Sequence, residues 1–571
     1  MRTKQIFFLG LALLGVGSLT AQNAIQREVN VTREYEPSVQ NALKLNIMPD
    51  MADTTLMRPE FHYEITPRPL NYGFAVNPLA PARMSTVSEA APLPFYAKLG
   101  VGYSPRSAAD IRYSKALGER AHFGAFATHS GRWDNIENDM AVKENAAATD
   151  NSVGTFLDFR PDEALFFKLD LGYDFRHVNR YGYFRHTPSA MPFETSDDFM
   201  LQHFQNLKAK FSFGTLHQRL NFRLSGGIDY FMDRFQYNQQ RISIDGAFDF
   251  RVGEYGAVTV GFDARLTKGS HNLKGHENRI AGLEVAYDYE HDGLRFRLGA
   301  GFGSSETVPG QNPDSSQFVF LPRVVIEKDL AGGRFTPFVE VQGSITDNSY
   351  GELARRNPYL YSGQCAQNTI NYNSRAGAKG TLGRMFKYVV YGGYTMQKEA
   401  AFWANAYSGY DSPTNAAAHP FYGNEGNVFT VLTDDLNYFE AGIDYQLNIR
   451  SALTWRGALN YRSHSPDTFD KAWGMPELTV STDVAYNHRD RLYLNAGLEH
   501  TGERQMYSLY AAGVANAVAA QTNLKFSVDY FLNKRFGLFL QLDNLLNQDI
   551  YRFNRYREPG IGGTAGIKIS F

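Results

Sequence analysis

Towards its C-terminus the chain places an apolar residue at every second position and stops on one. Leu524, Phe526, Val528 and Tyr530 alternate with Lys525, Ser527, Asp529 and Phe531; Phe536, Leu538, Leu540 and Leu542 alternate with Gly537, Phe539, Gln541 and Asp543; Ala565, Ile567, Ile569 and Phe571 alternate with Thr564, Gly566, Lys568 and Ser570. Side chains of a β-strand point alternately to its two faces, so this period separates an apolar face from a polar one. The pattern recurs from Phe95 onwards, at 167–173, 220–228, 242–250, 258–266, 283–289, 294–300 and 492–498, with the charges on one side. Runs of about ten residues suit strands that cross a bilayer with lipid outside and water inside. A soluble sandwich would alternate in shorter strands around a core.

The connections point the same way. Tight turns fall at 118–120, 161–163, 214–217, 252–254, 291–293, 331–333, 383–384, 450–451, 488–490 and 533–535. Longer links, at 131–150, 179–199, 347–367, 399–432, 463–475 and 502–518, lie between them. In bacterial barrels the short turns are periplasmic and the long loops extracellular. The prediction is an all-β fold, an antiparallel transmembrane β-barrel of about 22 strands over residues 95–571, with both barrel ends in the periplasm. A hydrophobic content of 43% is sufficient, because a barrel needs only alternate residues apolar. Glycine is frequent, at 51 residues, and fits strand positions where curvature is needed or an aromatic ring covers the backbone. Many of the 42 Phe and 34 Tyr residues lie near strand ends, as interfacial girdles require.

The C-terminus also carries a resemblance. Leu542-Asp543-Asn544-Leu545-Leu546-Asn547, then Tyr551, Tyr556 and Glu558-Pro559-Gly560, then a strand ending in Phe571, resemble the end of TonB-dependent outer-membrane receptors. Thr433-Asp434-Asp435-Leu436-Asn437-Tyr438-Phe439-Glu440-Ala441-Gly442 resembles the family's entry into a late strand. The resemblance implies a barrel of about 22 strands. It also implies a barrel-assembly signal at Phe571, with Ile569 and Ile567 on the same face, read by the barrel-assembly machinery.

The N-terminal region differs. Arg2 and Lys4 precede an apolar run over 6–16 and small residues before Gln22, which reads as a secretory signal peptide at 1–21. Residues 22–94 hold nine of the chain's 23 prolines and read as an extended periplasmic arm. A TonB-dependent receptor would have a longer folded plug here, and its pattern is not recognisable. Glu28-Val29-Asn30-Val31-Thr32 could pair with a partner strand, so TonB or another periplasmic or envelope protein is an expected partner of the arm. The expected location is the outer membrane of a Gram-negative cell, with outer-membrane lipids around the barrel.

Composition and motifs exclude several activities. A formal net charge of −2 leaves no basic footprint for nucleic acid. No Gly-x-Ser-x-Gly, His-Glu-x-x-His or Cys-x-x-Cys occurs, so no catalytic centre, cofactor or metal is expected. His271, His276 and Glu277 come nearest to a metal cluster and read as surface polar residues. A barrel-embedded lipid hydrolase would need a Ser-His pair on one lipid-facing edge, which spacing alone cannot locate. The segment 399–433 carries Phe402, Trp403, Tyr407 and Tyr410, candidate extracellular ligand contacts, or else aromatics that hold a long loop folded. Two functions remain: a receptor or transport channel with an obstructed lumen, or a plug-less envelope scaffold that recruits partners through its arm.

Overall fold

The structure, a computed structural model, describes residues 93–571 except 138–142, 183–199, 217–219, 309–314, 408–424, 451 and 509–515. The expected signal peptide (1–21), the arm (22–94) apart from its last two residues, and Tyr410 lie outside the described residues. One sheet contains 24 strands, of which Arg504–Ser508 and Asn516–Val518 form a separate hairpin, so 24 − 2 = 22 strands make the wall. The first, Phe95–Tyr103, pairs antiparallel with the second, Arg106–Leu117, and with the last, Gly562–Ser570. Tyr96↔Ser570 through Tyr103↔Gly563 close the sheet on itself. Closure pairs the first strand with the last, so that neither is left as an open edge for lipid to meet.

The eight tight turns that lie wholly within the described residues fall where expected, at the end of the barrel that carries Phe95 and Phe571. Gly253 (φ 71°) and Gly383 (φ 64°) adopt left-handed backbone there, which their lack of a Cβ makes inexpensive. The long links lie at the other end, together with short ones at 104–105, 234–236 and 272–276 that the alternation of lengths did not anticipate. On the outer face near the tight turns, Phe159, Phe167, Phe213, Phe222 and Phe248 follow one another at ring-centroid spacings of 5.8–6.3 Å. This continuous phenylalanine belt is an interfacial girdle. Inside a strand, Gly442 lies under the Tyr391 ring, 2.3 Å from where a Cβ would sit, as expected for a glycine covered by an aromatic.

The segment 399–433 needs correction. Its described parts, 399–407 and 425–433, are not loop: the strands Phe386–Tyr407 and Glu425–Ile449 continue far past the roughly ten residues a membrane crossing needs and stay paired with each other there. A register shift between Gln397 and Ala400, with Glu399 at φ 54°, turns this extension. Beyond it, Phe402, Ala404, Val428 and Phe429 are buried.

Candidate functional site

The link 347–368 turns inward instead of outward. Asp347 Oδ1 accepts the Ser349 N–H at 2.8 Å and starts a short helix, Tyr350–Arg356. Glu352 in its first turn and Arg355 and Arg356 in its last suit the helix dipole, and the Asn357 N–H closes it on the Leu353 carbonyl. Tyr350, Leu353 and Ala354 are buried against the inner wall. Tyr350 packs edge-on to Phe231 (5.7 Å, 81°) and donates its hydroxyl proton to Asp233 Oδ2 at 2.7 Å. Burial first, and then the Asp233 carboxylate, push that phenol well above its ordinary value.

Polar contacts pin the segment to several wall strands. Arg241 forms ion pairs with Asp347 (3.0 Å) and Glu352. Asn278 donates to Asp347 Oδ1 (2.8 Å) and exchanges hydrogen bonds with Asn368, which also donates to Ser305 Oγ (2.9 Å). Gln202 reaches Asp233 (3.3 Å) and Ser362 (3.0 Å). Burial alone would raise the Glu352 carboxyl, but Arg355 and Arg241 together hold it below its ordinary value.

A second inward piece comes from 544–561. Tyr556 stacks on Tyr359 (3.5 Å, 19°), meets Tyr181 edge-on (4.9 Å, 69°) and donates its hydroxyl to the Asn427 carbonyl. Arg132 pairs with Glu558, and Tyr181 donates to the Arg557 carbonyl at 2.8 Å. Val178, Phe204, Phe231, Leu273, Leu360 and Phe429 complete a core built across the mouth. These connections of the barrel therefore pack a core of their own at its loop end.

Against this core lies a lumenal chamber of about 770 Å³, within the range of small-molecule sites. Eight cations (Arg106, Arg132, Arg176, Arg355, Arg356, Arg504, Lys525 and Arg552) and four anions (Asp150, Glu499, Asp543 and Glu558) line it, a balance of 8 − 4 = +4. Arg106–Asp543 (3.0 Å), Lys525–Glu499 (2.7 Å), Arg176–Asp150 and Arg132–Glu558 use all four carboxylates. Among the described residues, Arg356, Arg504 and Arg552 have no carboxylate at ion-pair distance. Arg504 instead donates to the backbone carbonyls of Arg552 (3.2 Å) and Tyr551. An enclosed excess of positive charge attracts anions.

The residues singled out in the sequence are distributed as follows. Phe571 is 59% exposed at the closing seam, stacks on Phe95 (4.6 Å, 30°) and exchanges backbone hydrogen bonds with it at 2.9 and 3.1 Å. Ile567 is exposed and Ile569 half-buried on the same face of the last strand. Phe402 is 1% exposed, packed with Ala400, Leu436 and Trp473, so the extension holds it as a packing residue. Trp403, its neighbour on the opposite face, packs against the mouth core with the Arg356 guanidinium 5.9 Å from its ring. Tyr407 ends the strand. Glu277 is engaged with Lys268 (3.3 Å) and Arg279. The inward link escaped the sequence reading, although Tyr350, Leu353 and Leu360 at helix-like spacing in a supposed loop were its signal.

A scan of protein-family models and a search of curated proteins returned no match. Solved structures do match. P. aeruginosa FpvA, bound to heterologous pyoverdines, superposes with a TM-score of 0.62 over 84% of this chain and 72% of that one, at 12% identity. The FrpB iron transporter from Neisseria meningitidis gives 0.63 over 84% and 81%, at 10% identity. The copper transporter OprC gives 0.60 over 84% and 80%, at 12% identity. The barrel expected from the resemblance of residues 542–571 is the fold the chain has.

Proposed function

We propose that this chain is an outer-membrane receptor or transport barrel that takes an anionic solute or chelate into its charged lumen. The fold it shares with iron and copper transporters supports the reading, and the observation that carries it is the inward-folded mouth beside a chamber with surplus guanidinium groups. A 22-strand wall without an obstruction would be a wide hole, and the inward packing of loops 347–368 and 544–561 supports an obstruction built from them. Insertion would depend on the barrel-assembly machinery reading Phe571, and residues 22–94 would engage TonB or another envelope protein. The second reading, a plug-less scaffold through which nothing passes, draws on the same feature, since a mouth closed by a buried core can also be permanent.

Planar-bilayer recording of the purified chain tests the proposal. The native protein should be closed, and replacing 348–367 by a Gly-Ser linker should open steps that an anionic ferric chelate blocks from the lumen. A barrel that conducts after the replacement but ignores the chelate favours the scaffold.

A further inference from the structure

Three polar residues share the outer, lipid-facing side of the wall on adjacent strands. Ser107 lies on Arg106–Leu117, His129 on Ala121–Arg132 and Asn151 on Ala148–Phe159. Arg106, Ala108, Arg132 and Asp150 line the lumenal chamber, which Ser107 and Gly131 also touch, while Ile111, Tyr113 and Val153, in phase with the three, are exposed on the outer face. The Ser107 Oγ to His129 Nε2 distance is 2.6 Å, and His129 Nδ1 lies 2.6 Å from Asn151 Oδ1. The consistent arrangement has the Ser107 hydroxyl donating to Nε2 and the Nδ1–H donating to Asn151. Asn151 Nδ2 donates to the Phe175 carbonyl (3.4 Å), which turns its Oδ1 towards the ring. A nucleophile, a base and a group that orients the base are thus aligned in one chain, the arrangement by which hydrolytic triads are recognised whatever their fold.

Depth and access fit a lipid substrate. Asn151 is eight residues above Phe159 of the phenylalanine belt, about 20 Å along the membrane normal at about 3.3 Å per residue and about 40° of tilt. That height is close to the far edge of an apolar band about 25 Å tall, where the acyl esters of the loop-side leaflet lie. Tyr103 (79% exposed) and Trp133 (47% exposed) flank it as interfacial aromatics. Gly131 faces Ser107 in the register, and a Cβ there would come within 2.6 Å of the Trp133 ring and 3.1 Å of His129 Nε2, so the indole and the imidazole lie over this glycine beside the serine.

We propose that Ser107, His129 and Asn151 form an acyl-ester hydrolase site on the outer wall, acting on glycerophospholipid in the loop-side leaflet. Ser107 Oγ adds to the ester carbonyl carbon as its proton passes to His129 Nε2. The bond to the glycerol oxygen breaks, that oxygen takes the proton, and the acyl group remains on Ser107. Water then attacks the acyl-serine by the same proton path and releases the fatty acid. Asn151 holds the ring in the required tautomer and is a positioning residue.

The purified full chain should release fatty acid from phosphatidylethanolamine in mixed micelles and be captured at Ser107 by a fluorophosphonate probe, located by mass spectrometry. Ser107→Ala and His129→Ala should lower release by at least about 10³-fold while keeping the heat-modifiable gel band of a folded barrel. Asn151→Ala should lower it less and shift the pH profile. Folded native protein that neither reacts with the probe nor releases fatty acid would overturn the assignment, as would release that survives Ser107→Ala. Either result would reduce the three residues to polar groups that satisfy one another at the membrane edge.

Discussion

Arg241 of the barrel wall and Asp347 at the start of the inward link meet at 3.0 Å with side chains only 11% and 6% exposed. The pair joins a strand to a connection more than a hundred residues away. Around it, Glu352, Asn278 and Ser349 satisfy the remaining donors and acceptors. Two charges so far from water are stable only together, so their separation should govern whether the mouth stays shut.

Arg241→Ala leaves Asp347 buried without its cation and should destabilise the closure by about 3 kcal/mol. The wall, whose ladder is untouched, should still insert. Planar-bilayer recording should show frequent openings absent from the native protein, with an unchanged gel shift. A closed, silent variant would mean that the apolar core around Tyr359 and Tyr556 suffices by itself.

Acid should act in the same direction. The folded-state value of Glu352 is depressed below the ordinary 4.5, so the open mouth binds more protons than the closed one between the two values. Closure is therefore at full strength above about pH 4.5 and is lost as pH falls through the depressed value. Openings should increase below that pH, and Glu352→Gln should flatten this dependence. An unchanged acid response in the variant would assign the effect to other carboxylates.

Facing can be tested at two adjacent positions. Leu494, Val528 and Leu540 pair across three strands on the lipid side, while Asn495, Ser527 and Gln541 pair on the lumen side, where Gln541 accepts from Lys98 Nζ at 3.1 Å. Arginine at Leu494 or Leu540 should cost about 2–4 kcal/mol near mid-membrane, and arginine at Asn495 or Gln541 little. Urea titration in lipid vesicles distinguishes the two pairs, and equal costs would refute this register.

Removal of Phe571, or its replacement by Asp, takes away the ring stacked on Phe95 and the end of the closing ladder. Unfolded protein should accumulate in the periplasm although the other strands are intact. Normal surface levels would show that assembly does not read this residue.

Strand identity, facing and the position of the described tight turns were legible in the sequence because each rests on local physics. Alternation at Leu494 and Asn495, or at Leu540 and Gln541, reports two faces within one strand, and glycines at 253 and 383 mark reversals within four residues. The C-terminal residues 542–571 likewise carried the resemblance that named the barrel. Only the tertiary structure decided how the mouth is packed. Asp347 finds Arg241, Tyr556 finds Tyr359, and Phe402 is buried beside Trp473 because barrel closure brings distant strands to one rim, and a period of two contains no information about partners across a lumen. Ser107, His129 and Asn151 show the same division. Their phase on the outer face was readable, but their alignment required the shear between three neighbouring strands, which hydrogen-bond register sets and composition does not.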